Sequence, residues 1–327
     1  MTPGDLLKSP IKDVSLRDFE ECSACAVKLL KAYEDMGGFS CRYLYKAFTL
    51  LREMYGDKTT VFLAFTANLV ATGLRGVIAD LIGLGYVDVI VTTGGTIDHD
   101  IARSFKNYYK GEFEMDDIEL SEKGIHRLGN ILVPLEAYGP VIEAFTHELL
   151  ERLIEAKRTW TPSELIKEVG LRLECPSSIL RQAALRDVPI FAPGIVDSAF
   201  GTAVMTFNET LRSRGREPLV LDIVSDMKKL ADIVFSSEKL GAIILGGGIA
   251  KHHTIWWAQF KGGLDYAIYI TTAVEWDGSL SGARTREAIS WGKIKKAAKH
   301  VTVPADATVV FPLLAVALTN IERRGKR

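Results

Sequence analysis

The residue with the most chemical potential in this chain is Lys293, in the run Glu287-Ala288-Ile289-Ser290-Trp291-Gly292-Lys293-Ile294. A primary amine against an aromatic wall can have a lowered pKa, and the neutral amine is what a Schiff-base nucleophile requires. At an ordinary pKa of about 10.4 it would be mostly protonated, so its surroundings decide. Spacing alone also allows a snorkelling surface lysine. His252-His253 follows Gly246-Gly247-Gly248 and Lys251 directly. It offers an imidazole that exchanges protons near neutral pH. His126, His147 and His300 lack such a setting and read as structural.

Glycines after a strand let a phosphate approach the backbone, and the next helix N-terminus favours its charge. Neither the GxGxxG fingerprint nor the P-loop occurs, and a lone Gly-Gly-Gly is equally a tight turn. Several such turns recur, however: Thr66 and Asn68; Thr92 to Thr96 with Asp98, His99 and Asp100; Pro193-Gly194 with Asp197; the triple glycine; Thr271-Thr272 with Asp277-Gly278-Ser279; and Asp306-Ala307. Asp197 or Asp306 could accept ribose hydroxyls, or could be helix N-caps.

The elements that must position these residues follow from periodicity. Short apolar runs at 60–65, 87–91, 188–191, 242–245, 266–270 and 301–303 read as strands, separated mostly by helical stretches. This predicts an α/β fold: a Rossmann-like, doubly wound, mainly parallel sheet with helices on both faces. Ser15 with Asp18 resembles a capping box opening a helix through Tyr33. Gly37-Gly38 ends it, and a second helix spans about 42–55. The expectation is one α/β domain over 1–327, which the resemblance given below makes NAD-binding, with a helical extension at 1–58 and a helical elaboration at 111–178.

With 47% hydrophobic residues and a net charge of -1 over 327 residues, the chain gives no electrostatic case for nucleic acid. No apolar run reaches the ~20 residues of a membrane span. The polar, Pro-containing start lacks a signal peptide's apolar core, so a cytoplasmic protein is expected. The basic run at 322–327 reads as a solvated terminus. Cys22 and Cys25 form a CxxC in a helical segment with no second ligand pair, so no metal is expected and half-buried helix cysteines are.

These motifs together resemble deoxyhypusine synthase. The resemblance is carried by Ile243 to Gly248, Lys251-His252-His253, Asp277-Gly278-Ser279 with Ser281-Gly282-Ala283-Arg284, and Ser290-Trp291-Gly292-Lys293-Ile294. Phe65 to Leu69, the Thr92 to Asp100 loop in an archaeal form, Ala305-Asp306-Ala307 and Phe311 to Leu314 carry the rest. It implies NAD as cofactor and hydride transfer from spermidine. Lys293 then holds the aminobutyl group as an imine and passes it to one lysine of the hypusine-containing translation factor. His252 would line the amine site. Glu287 and Trp291 would grip the polyamine, with Gly278 and Ser279 beside it. Asn68, Thr72, Thr93, Gly94, Gly95, Asp197, Gly247, Gly248, Ser281, Asp306 and Ala307 would contact NAD. The resemblance also implies a homotetramer with active sites between paired subunits.

Two positions depart from the better-known eukaryotic pattern. Thr202 and Leu280 stand where that pattern has aspartates for the spermidine nitrogens. An ammonium without its counter-charge is costly in a dry pocket. Asp98, Asp100, Glu275 and Asp277 are the candidate substitutes. Trp256-Trp257 and Trp276 add aromatic bulk. The alternatives are transfer to a small amine, as in homospermidine synthesis, and a nucleotide-binding regulatory protein.

Overall fold

The computed structural model describes residues 3–321, so the basic run at 322–327 lies outside the described residues. Its centre is a six-stranded parallel sheet. The strands are β1 (Thr59–Phe65), β2 (Val89–Val91), β3 (Ile190–Phe191), β4 (Lys239–Leu245), β5 (Leu264–Thr271) and β6 (Ile294–Pro304). Val61, Leu63 and Phe65 enter one core and Phe62 and Ala64 the other, as alternation in a strand demands. Strands buried on both faces have no polar alternate, which is why they read as apolar runs. β6 is much longer than its run at 301–303. Its first half carries Lys295, Lys296 and Lys299 along a sheet edge, where charge blocks further pairing.

The order across the sheet is β6-β5-β4-β1-β2-β3. The chain winds outward from β1 to β3, then returns to the other side of β1. Connections therefore diverge between β1 and β4, opening a crevice at their carboxyl ends. Phe65 pairs with Leu245, Leu245 with Ile270, and Val91 with Phe191, so the strand ends form one rim.

The first helical stretch is not continuous. Ser15 caps a 3-10 segment, Leu16–Cys22, accepting from the Arg17 N–H without a reciprocal bond. The α-helix runs Ser23–Met36. Gly37 and Gly38, at φ 61° and 71°, turn the chain into Phe39–Gly56. Leu30, Leu44, Phe48, Leu51 and Met54 share the larger core, so these helices cover the sheet rather than hang from it. Residues 111–178 are less helical than expected. Ile125–Leu128 and Ile131–Pro134 form an antiparallel sheet with Tyr109–Lys110, and Thr159–Trp160 pairs with Val220–Leu221. Strands of two to four residues are too short for alternation to reveal.

Cys22 and Cys25 are exposed rather than half-buried, and both are free. Among the described residues no helix is long and apolar enough to cross a membrane, and no three His, Cys, Asp or Glu side chains converge as metal ligands.

Candidate active site

The rim brings the glycine turns together. Gly246 and Gly248 take φ of 83° and 62°, which glycine adopts without strain. Gly247 lies against Ser281: an added Cβ would sit 2.4 Å from Ser281 Cα. Ser281 Oγ accepts from the Gly248 N–H at 3.2 Å. Across the crevice, Gly246 faces Thr66, Gly95 faces Ala67, and Gly94 packs on Ser198. Thr93 precedes the helix Gly94–Phe105 and Gly247 precedes Gly248–Gln259; neither N-cap residue's own side chain bonds the first turn, and at the second helix Ser281 takes the Gly248 N–H. Two helix N-termini at this end of the sheet suit two linked phosphates.

Asn68 is exposed, its Oδ1 accepting from Thr66 Oγ1 at 2.6 Å. Thr72 Oγ1 donates to the Leu69 carbonyl at 2.7 Å. Asp306 caps the helix Ala307–Leu318, its Oδ1 bonded to the Thr308 N–H and hydroxyl. Asp197 is exposed and does not cap; Ser198 does, for the helix Ala199–Ser213.

Lys293 sits between the short helix Thr285–Ser290 and β6, with 8% exposure. Its backbone is fixed on both sides, N–H to the Ala288 carbonyl and carbonyl to the Leu264 N–H, each at 3.0 Å. Its Nζ lies 5.0 Å from the Trp291 ring centroid and 5.9 Å from that of Trp256. Trp256 stacks on His252, one helical turn before it. Burial and the charge of Lys293 both hold the His252 imidazole below its usual pKa, so it is neutral at pH 7. His253 is pushed down to about 4, first by burial and then by His252, and packs on Trp257.

One residue that sequence reasoning passed over is Lys251, only 1% exposed. Its Nζ donates to the carbonyls of Leu280 and Ala283 and lies 4.3 Å from the Tyr269 ring centroid. Burial lowers its pKa to about 8; the Glu287 carboxylate opposes that shift and Arg284 adds to it. Glu287 and Trp291 are exposed, as are Gly278 and Ser279. Gly278 takes a left-handed φ of 71°, and the Ser279 N–H donates to Asp277 Oδ1 at 2.7 Å.

The family model for deoxyhypusine synthase matches residues 28–318. Proteins named "probable deoxyhypusine synthase" from Sulfolobus acidocaldarius and Ignicoccus hospitalis are each 49% identical to this chain. They cover 97% and 96% of it, and the matches span 99% and 97% of their own lengths. A Thermoplasma acidophilum protein of the same name is 45% identical, with 96% of this chain and 98% of that protein covered. Among solved structures, one from Entamoeba histolytica assigned to deoxyhypusine synthase superposes with a TM-score of 0.63 at 25% identity, covering 97% of this chain and 99% of that one. The chain belongs to the deoxyhypusine synthase family. It is therefore a transferase of hypusine biosynthesis.

Of the four carboxylates expected as candidate substitutes for the missing aspartates, three are spoken for. Asp98 is buried and caps the helix Ala199–Ser213, accepting from the Ala199 and Phe200 N–H groups and the Tyr138 hydroxyl. Asp100 is buried and pairs with Arg75, accepting also from Ser178 and the Leu180 N–H. Both face inward because a helix rooted at the rim turns most of its positions toward neighbouring helices. Glu275 pairs with Arg286 and lies 3.8 Å from Arg284. Asp277 alone is exposed with no ion pair among the described residues. Thr202 is exposed, its hydroxyl turned back to the Ser198 carbonyl, and Leu280 is half-buried.

Proposed function

We propose that this chain transfers the 4-aminobutyl group of spermidine to one lysine of the hypusine-containing translation factor, through an imine on Lys293, with NAD as cofactor. The observation that carries this reading is the setting of the Lys293 amine. It is nearly buried, framed by two indoles, beside a neutral histidine, and makes no ion pair among the described residues.

NAD would supply the hydride acceptor that turns an amine into an electrophilic imine, and would return that hydride at the end. The residues present fit it: the helix N-termini at Gly94 and Gly248 for the phosphates, and exposed Asp197 and Asp306 for ribose hydroxyls. Asn68, Thr72, Thr93, Gly95, Gly247, Ser281 and Ala307 complete that rim.

The chain's own residues then act in order. Glu287 offers a carboxylate to the polyamine's ammonium, and Trp291 a π-face. Gly278 and Ser279 border this subsite. The indoles exclude water from Lys293 Nζ, which attacks the imine carbon. His252 accepts the proton released on attack and returns it to the departing amine. The acceptor lysine displaces Lys293 by the same chemistry reversed.

Trp291 and Trp256 are 67% and 40% exposed beside this nucleophile, and Trp276, in the turn Glu275–Asp277, is 86% exposed. Apolar area of this kind next to a site marks an interaction surface. It supports a homotetramer whose neighbouring subunit closes the site. We also infer a cytoplasmic setting, where spermidine, NAD and the translation factor meet.

Borohydride reduction in the presence of spermidine and NAD tests the proposal. A mass adduct of one aminobutyl group on Lys293 is expected. Its absence in folded, NAD-bound protein would leave a nucleotide-binding regulatory protein. Labelled spermidine offered with the translation factor or with putrescine separates the acceptors, and label found only in the small amine would defeat the protein-lysine assignment.

A further inference from the structure

We infer that the N-terminal strap, residues 10–16, is a working part of the nucleotide site, and that Asp13 is the positioning residue through which it sets the loop 66–72. This rests on the reading of that loop as one wall of the dinucleotide crevice.

The strap is bound along its length. Pro10 bridges to Tyr109, and the Ile11 N–H donates to the Tyr108 carbonyl at 2.8 Å. The Val14 N–H donates to the Gly73 carbonyl at 3.0 Å, and Asp80 Oδ2 accepts from the Ser15 hydroxyl and the Leu16 N–H. Two glycines admit it. An added Cβ would sit 2.4 Å from the Lys12 carbonyl oxygen at Gly73, and 2.5 Å from that of Val14 at Gly76. Neither approach tolerates a side chain.

Asp13 is the strap's charged link. Its Oδ2 accepts from Arg75 Nη1 at 2.8 Å. Its Oδ1 lies 3.0 Å from Arg103 Nη2, an ion-pair contact off the hydrogen-bond line. Arg75 spends its other donors on Asp100, Ser104 and the Cys175 sulfur. Arg103 reaches the loop itself: Nη1 donates to the Val70 carbonyl at 2.9 Å and the Thr72 carbonyl at 2.6 Å. The backbone on either side of Ala71, leading into Thr72, is therefore held by a guanidinium whose nearest carboxylate comes from the strap.

The charge count explains why this carboxylate is needed. Arg75 and Arg103 are two nearly buried cations, with Asp100 and Asp13 as their carboxylates. Without Asp13, two guanidiniums share one anion, and a buried cation lacking its partner moves toward water. Burial already lowers the pKa of Arg103; Asp13 opposes that and Arg75 adds to it. Arg103 is the less well compensated cation and the one that would swing away from Val70 and Thr72.

The experiment compares Asp13→Asn and Arg103→Lys with Asp80→Asn, which loosens the strap without touching either arginine. Each holoenzyme is measured for KM of NAD, KM of spermidine, kcat and melting temperature, and amide exchange is read over 69–76. Asp13→Asn and Arg103→Lys should raise the KM for NAD by about threefold to thirtyfold and speed exchange at 69–76, with kcat at saturating NAD retained. Asp80→Asn should lower the melting temperature with the KM for NAD close to wild type. An unchanged KM for NAD in both arginine-network variants overturns the inference, as does an equal rise in all three. If one network variant fails to fold, the other carries the test. If the wild type does not bind NAD, the nucleotide reading fails, and exchange at 69–76 still decides whether Asp13 holds the loop.

Discussion

The buried ammonium of Lys251 donates to the carbonyl of Leu280 at 2.7 Å and to that of Ala283 at 2.6 Å. A lysine on the helix that starts at the triple glycine thus ties down the loop bearing Gly278, Ser279 and Ser281. Lys251→Met would leave two carbonyls unpaired, at about 1–3 kcal/mol each. The expected outcome is a lower melting temperature, proteolysis within 272–284, and weaker NAD binding.

The same lysine predicts a pH dependence. Its pKa is about 8 in the fold and about 10.4 in the unfolded chain. Below pH 8 both states hold the proton, and the fold bears the full burial cost. Between pH 8 and about 10.4 the unfolded chain holds more proton, so this group's contribution to stability improves as pH rises. Denaturant unfolding of wild type and Lys251→Met at pH 7.5 and 10 checks this. The wild type should gain relative to the variant at the higher pH, and a constant difference would count against the shift.

The glycine turn can be tested by contrast. Gly247→Ala places a methyl against the Ser281 backbone, and relief of that overlap must separate the two loops. We expect a loss of about 1–3 kcal/mol in stability and a marked rise in KM for NAD. Gly278 also has a positive φ but nothing within 4 Å of an added Cβ. Gly278→Ala should cost about 1–2 kcal/mol and leave KM for NAD nearly unchanged.

The sheet was legible in sequence because parallel strands covered on both faces are apolar throughout, as 60–65 and 242–245 are. The glycine turns were legible for a related reason: chain reversal at a strand end needs backbones such as those of Gly246 and Gly248. Burial and pairing were not. Asp98 and Asp100 looked available at a polar strand end, yet both face inward onto partners 40 to 102 residues away, Arg75 excepted. Lys251 stood in the same motif as His252, but periodicity could not show that its ammonium is buried under a loop about 30 residues later. Asp13 and Arg75 are 62 residues apart, and nothing local marks their meeting.

His252 gives a prediction about proton transfer. With its pKa lowered from the ordinary imidazole value, the rate should hold through pH 6.5 and fall only at more acid pH, as the imidazole becomes charged. His252→Gln should remove this acid limb and lower kcat by about 10²–10⁴. Lys293→Met removes the positive neighbour, so the imidazole pKa should rise toward 6.5 while burial still holds it below. Imidazole NMR titration reads this directly, and an unmoved pKa would mean that the two groups are not coupled.

The amine end is best tested by adding charge. Thr202 is exposed in the first turn of the helix Ala199–Ser213, where a carboxylate also meets the positive end of the helix dipole. Thr202→Asp should therefore fold at least as well as wild type, with a gain of about 0.3–1 kcal/mol. If this turn borders the polyamine, the new carboxylate lowers KM for spermidine severalfold with kcat little changed, because it strengthens binding in ground and transition states alike. Leu280→Asp serves as the comparison. Leu280 is half-buried and its carbonyl is held by Lys251, so a carboxylate there bears a desolvation cost that lowers the melting temperature. A KM for spermidine that Thr202→Asp leaves unchanged would mean that the helix start does not face the amine. Asp277→Asn would then be expected to raise that KM, since Asp277 is the one substitute carboxylate left exposed and without an ion pair among the described residues.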